Sequence, residues 1–117
     1  MPMIEIPEAW RKQVWAILAT EETGKTILWT RDAEQRYAAT PGAPWHFEVY
    51  QPLREFLSLG TPTGCSVSMA SPPGETYEFF FMFKGLKFYG KILPLRDRKS
   101  VVLFSAHLPL KPKLSCE

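Results

Sequence analysis

At 117 residues, with a net charge of +2, 45% hydrophobic and 14% aromatic residues, the chain is sized for one domain that buries about two-thirds of its unfolded surface. No apolar run approaches the ~20 residues that a membrane-spanning helix needs, and so small a net charge excludes a protein that holds nucleic acid by bulk charge alone. Cys65 and Cys116 show no CxxC or Cys/His spacing, which leaves no zinc or redox motif and leads to the expectation of reduced thiols. The opening residues lack a basic region followed by an apolar stretch, so a cytoplasmic location is expected.

In chain order, Ile4-Glu5-Ile6 reads as a short edge strand, and Pro7 opens a helix through about Ala19 with Trp10, Val14, Ile17 and Leu18 inward and Arg11 and Lys12 outside. Lys25 to Trp29 is a short run of ambiguous type, after which Thr30 or Asp32 caps a brief helix ending near Ala39. Thr40 to Pro44 breaks the chain. A second long helix is expected from Trp45 to Leu59, with Trp45, Val49, Leu53, Phe56 and Leu57 inward, His46 at its start, and Pro52 kinking or splitting it. Strands follow at Cys65 to Ala70, Thr76 to Phe83, Leu86 to Leu95 and Ser100 to Ala106, with turns at 71–75, Lys84-Gly85 and 96–98. Helices first and strands after is an α+β order: a single domain with helices over 1–60, packed on one face of a roughly four-stranded antiparallel sheet over 64–106. The proline-rich tail, 107–117, reads as an extended basic arm. Trp10, Val14, Ile17, Val49, Phe56, Phe79, Phe81, Phe88 and Val102 are the expected core.

A two-residue turn at Lys84-Gly85 pairs Phe83 with Leu86, Phe81 with Phe88, Phe79 with Gly90 and Tyr77 with Ile92 on one face. The opposite face then holds Met82 with Lys87, Phe80 with Tyr89 and Glu78 with Lys91. Its Lys87, Tyr89 and Lys91 stripe is either a solvated face or a phosphate-binding one. From Lys84 to Lys113 eight cations face a single acid, Asp97, an asymmetry that suits a polyanionic or acidic partner or simply offsets the acids earlier in the chain. His107 ends the last strand, where a histidine can exchange protons near neutral pH. Its side depends on the turn at 96–98. Leu95 opposite Ser100 sends His107 over Phe88 under the helices; Leu95 opposite Lys99, the register preferred here, sets Tyr89 against Ser105 and Lys87 against His107.

The segments Tyr77-Glu78-Phe79-Phe80-Phe81, Lys87 to Ile92 and Val101 to His107, with Glu48 to Pro52 ahead of them, resemble the RelE-type toxins of bacterial toxin–antitoxin modules, including the MqsR branch. The resemblance implies a metal-free, cofactor-free endoribonuclease that cuts mRNA, often at the ribosome, and is restrained by an acidic antitoxin protein. Carried across by position, His107, Lys87, Tyr89 and Lys91 become the catalytic residues, and Lys84, Arg96, Arg98, Lys111 and Lys113 the further RNA contacts. The chain departs from the family pattern in having no arginine on these strands and a proline-filled tail in place of a last helix. The rival readings are a non-catalytic module gripping nucleic acid or an acidic protein with the same face, and an interaction protein whose basic face is only solvated.

Overall fold

The turn at Lys84-Gly85 sets the arrangement of the chain. Both residues take positive φ, 53° and 74°, the left-handed pair of a two-residue hairpin turn, in which glycine carries no side-chain penalty. In a computed structural model, which describes residues 3–42, 45–68 and 75–117, this turn joins two strands in the expected register, from Phe83 opposite Leu86 to Tyr77 opposite Ile92. The elements run β1 (Ile4–Glu5), α1 (Glu8–Leu18), β2 (Ile27–Trp29), α2 (Arg31–Ala38), a 3-10 helix (His46–Val49) leading into α3 (Tyr50–Leu57), β3 (Thr63–Ser68), β4 (Glu75–Phe83), β5 (Leu86–Pro94) and β6 (Val101–His107).

The fold is α+β, and its sheet is larger than the expected four antiparallel strands. Six strands lie in the order β1-β3-β4-β5-β6-β2. The antiparallel centre β3 to β6 is as expected, β1 adds an antiparallel edge on β3, and β2 pairs in parallel with β6 through Ile27 opposite Val101. The ambiguous run before Trp29 is thus a strand, and its partner lies more than seventy residues on, beyond the reach of any local pattern. The expected end of β3 at Ala70 and the turn at 71–74 lie outside the described residues.

One sheet face is greasy and covered by helices. Phe79, Phe81, Phe83, Phe88 and Ile92 are buried there with Trp10, Val14 and Ile17 of α1 and Leu53 and Leu57 of α3. Trp10 meets Tyr77 edge-on at 5.1 Å, Phe56 stacks on Phe79 at 4.5 Å, and Tyr37 of α2 stacks on Phe83 at 6.5 Å. The expected long helix from Trp45 divides at Val49, and Pro52 falls in the first turn of α3, where no intrahelical donor is required.

Three core expectations differ. Trp45 is 73% exposed, because it precedes the 3-10 helix instead of lying on a helical stripe, Phe56 is half-buried at the margin of the cluster, and Val102 is half-buried outside it, opposite Leu93 in the row next to the core pair Ile92–Leu103. Arg11, expected outside, turns back so that its guanidinium donates to the carbonyls of Ile6, Leu57 and Leu59 at 2.9, 3.2 and 3.3 Å.

The tail is not a free arm, nor are the cysteines reduced. Residues beyond His107 fold back across the second sheet face, bury Leu114, and join Cys116 to Cys65 of β3 in a disulfide with Cα atoms 5.8 Å apart. Closing a loop of 51 residues constrains the unfolded chain by about 4 kcal/mol in the loop-entropy model.

Gly90 shows how closely β5 approaches the aromatic layer: a Cβ there would lie 2.7 Å from Phe79 Cε2 and 3.0 Å from its Cζ. Gly90→Ala is expected to lower the unfolding free energy by about 1–3 kcal/mol, the usual cost of overpacking a full core. Urea denaturation checks this, and a variant as stable as the parent refutes the assigned packing.

Candidate functional site

The second sheet face carries the Lys87, Tyr89, Lys91 stripe, and the position of His107 on it is decided by two successive features of the β5–β6 hairpin. Asp97 closes the turn: its carboxylate accepts from the backbone N–H of Lys99 and Ser100 at 2.8 and 3.1 Å and from the Ser100 hydroxyl at 2.7 Å, and Leu95 N–H donates to Ser100 O at 2.9 Å. This is the Leu95–Ser100 register, not the preferred Leu95–Lys99 one, because a side chain and not strand alternation fixes the loop. It continues as Pro94 opposite Val101 and Ile92 opposite Leu103.

A bulge then intervenes. After Ile92–Leu103 the next pair is Lys91–Ser105, so Phe104 is the extra residue, and the ladder ends with Tyr89 opposite His107. Without the bulge His107 would pair with Phe88 on the helix side; with it, His107 sits beside Tyr89 on the second face, their rings 5.5 Å apart. His107 is therefore a neighbour of Tyr89 and not of Lys87.

The tail roofs this part of the sheet and leaves between them a half-open cavity of about 680 Å³. Phe80, Tyr89, Glu78, Ser105 and His107 form its floor, residues Pro109 to Ser115 its roof, and Asp32 and Arg36 of α2 one rim. Glu78, 4% exposed, is its fixed charge. The Tyr89 hydroxyl and the Ser115 hydroxyl both donate to it, as does the Ser115 backbone N–H at 2.7 Å. Burial acts to raise the Glu78 pKa, but the bonds from Ser115 and Tyr89 and the nearby charge of Lys91 outweigh it and hold the carboxyl below its usual range. Tyr89 is pushed far above the ordinary phenol range, first by burial and then by its bond to Glu78 and that carboxylate's charge. It stays a protonated donor.

His107 is 6% exposed. Its Nδ1 lies 2.7 Å from the carbonyl of Leu108. A carbonyl only accepts, so Nδ1 carries the hydrogen and Nε2 is the nitrogen left for exchange with a ligand.

The expected residues separate into groups. Tyr89, His107, Lys111 and Lys113 come together at the cavity. Lys91 is half-buried in the row of Glu78 and Ser105, its ammonium 5.7 Å from the Phe104 ring centre. Lys87 is exposed beside the cavity, its ammonium 4.1 Å above the ring of Phe80. Lys84 sits at the hairpin tip, 3.7 Å from Glu48, and Arg96 and Arg98 lie in the exposed loop at the other end of β5. His46 opens the 3-10 helix against Trp29, remote from this site. Sequence reasoning missed Arg36, held by Asp32 at 3.0 and 3.2 Å, and the part played by Glu78. The one available signal for Glu78 was an acid inside the apolar run Tyr77 to Phe83.

Among the described residues no cluster of three or more His, Cys, Asp or Glu is placed to hold a metal ion, and no helix is long and apolar enough to cross a membrane. The chain matches no protein-family model, no curated protein and no solved structure.

Because the folded state depresses the Glu78 pKa below its value of 4.5 in the unfolded chain, the ionised carboxylate contributes stability that is fully present above that value and is lost as pH falls through the lower folded one. Glu78→Gln is thus expected to be less stable than the parent at pH 7, with the gap narrowing at about pH 3. Paired urea melts at the two pH values check it; a gap that stays constant or widens in acid contradicts the proposed network.

Proposed function

We propose that this protein is a RelE-like toxin: a ribonuclease that binds an RNA segment at the second sheet face and cleaves it by attack of the RNA's own 2′-hydroxyl. The observation that carries the reading is the bulge at Phe104, which brings His107 beside Tyr89 in a cavity roofed by the cationic tail. RNA supplies the nucleophile, so the protein needs only to move two protons and steady the phosphate. Nε2 of His107 takes the 2′-hydroxyl proton, the 2′ oxygen attacks the adjacent phosphorus to form a 2′,3′-cyclic phosphate, and the 5′ oxygen is expelled and takes its proton from water. Lys87 at the edge is the fixed group for phosphate, and Lys111 and Lys113 are carried on the tail. Tyr89 and Phe80 offer ring surface for a base.

The partners on this reading are mRNA, at the ribosome or free, and an acidic antitoxin protein docking on the same cationic surface. An mRNA target places the chain in the cytoplasm, where a disulfide such as Cys65–Cys116 is usually reduced. The second reading, a module that binds RNA or an acidic protein without cutting, is favoured by the small exposure of His107 and the engagement of Tyr89 with Glu78.

His107→Gln separates the two. On the ribonuclease reading it lowers the cleavage rate of an RNA oligomer by about 10²–10⁴-fold and leaves affinity nearly unchanged, while Lys87→Ala weakens binding and reduces its salt slope by about one. Anisotropy and single-turnover cleavage, each with the disulfide closed and reduced, provide the readouts. Salt-sensitive binding with no cleavage in either state favours the module; no binding in either state refutes both.

A further inference from the structure

The roof over the site is attached in an uneven way. At its start it continues from β6, and at its end it is fixed by the Cys65–Cys116 disulfide, by the hydrogen bonds of Ser115 to Glu78 and by burial of Leu114. Between those ends residues 109–113 make no backbone-to-backbone hydrogen bond to another described residue, and Leu110 is 69% exposed. Pro109 and Pro112 lack a donor and cannot extend the sheet. Among the described residues no strand pairing involves a residue beyond His107, so the tail can leave the face with the six-stranded sheet intact.

The half-open cavity beneath the roof measures about 680 Å³, and a continuous strand cannot lie over Phe80, Tyr89 and His107 while the tail crosses them. The two sulfurs also differ in access: Cys65 is fully buried and Cys116 half-buried.

We propose that residues 108–117 are a redox-released strap, which excludes an RNA strand from the sheet face while Cys65–Cys116 is closed and uncovers His107 and Tyr89 when a dithiol reduces it. The proposal rests on the ribonuclease reading above. A thiolate of the dithiol attacks Cys116 Sγ, the S–S bond breaks, and Cys65 leaves as a thiolate that takes up a proton. The second thiol of the reductant then displaces Cys116, which is protonated in turn, so the protein gains two electrons and two protons and the dithiol becomes a cyclic disulfide. Release also removes both Ser115 donors from Glu78, whose charge stays engaged by the Tyr89 hydroxyl and the nearby Lys91.

The test compares the full oxidised chain, the same chain in dithiothreitol, and Cys116→Ser, which opens the link while leaving the buried Cys65 in place. Tryptic cleavage after Lys113 reports release of the tail independently of RNA, and far-ultraviolet circular dichroism reports the fold. The expected result is faster cutting after Lys113, an unchanged fold, and binding of an RNA dodecamer strengthened about tenfold or more, as when a competent state ceases to be a minor one, with Cys116→Ser indifferent to dithiothreitol. Equal RNA binding in both redox states, despite a released tail, overturns the strap alone. A site after Lys113 that stays protected on reduction, or a chain that unfolds, overturns it as well, since the link is then a structural staple. Absence of RNA binding in every form refutes the ribonuclease reading and the strap with it.

Discussion

The register of the β4–β5 hairpin is the constraint on which the remaining structure depends. Strand side chains alternate, so a turn one residue longer would leave Phe79 and Phe81 beneath the helices but turn Lys87, Tyr89 and Lys91 in beside them in place of Phe88 and Ile92. Positive φ at Lys84 and Gly85 prevents that slip. Once it is fixed, the stacking of Phe56 on Phe79 and the close approach of Gly90 to the same ring follow, and the polar face is left for the tail.

This register was legible because both of its determinants are local: a Lys-Gly pair between two runs with period-two alternation. The same holds for α1, whose stripe of Trp10, Val14 and Ile17 needs only helical spacing. What escaped was set by partners distant in sequence. The parallel edge from Ile27 to Trp29 takes its identity from Val101 to Leu103, and no property of three apolar residues shows that pairing. The disulfide is similar, since two cysteines without a motif spacing say nothing of whether the intervening chain brings them together.

The candidate site was legible as to face but not as to neighbours. Alternation placed Lys87, Tyr89 and Lys91 together correctly, yet His107 reached that face by a route that neither simple register contains. Asp97 selects the turn that would send it under the helices, and one extra residue at Phe104 reverses the outcome. A bulge leaves no mark in a run such as Val101 to Phe104, whose residues are apolar on both sides.

Glu78 gives the polar face its electrostatic character. A carboxylate at the centre of a phosphate-binding surface would repel the ligand unless its charge were already engaged, and here Tyr89, Ser115 and Lys91 engage it. Lys91 acts on Glu78 only through its nearby charge, the smallest of the contributions that hold the carboxyl ionised. The cations left to face solvent are Lys87 at the edge and Lys111 and Lys113 on the roof. On the proposed reading, the phosphate-binding cation of the rigid sheet is Lys87, while Lys111 and Lys113 move with the tail. The same carboxylate that anchors the tail through Ser115 also holds the hydroxyl of Tyr89, so the position of the roof and the donor state of the floor are coupled through a single side chain.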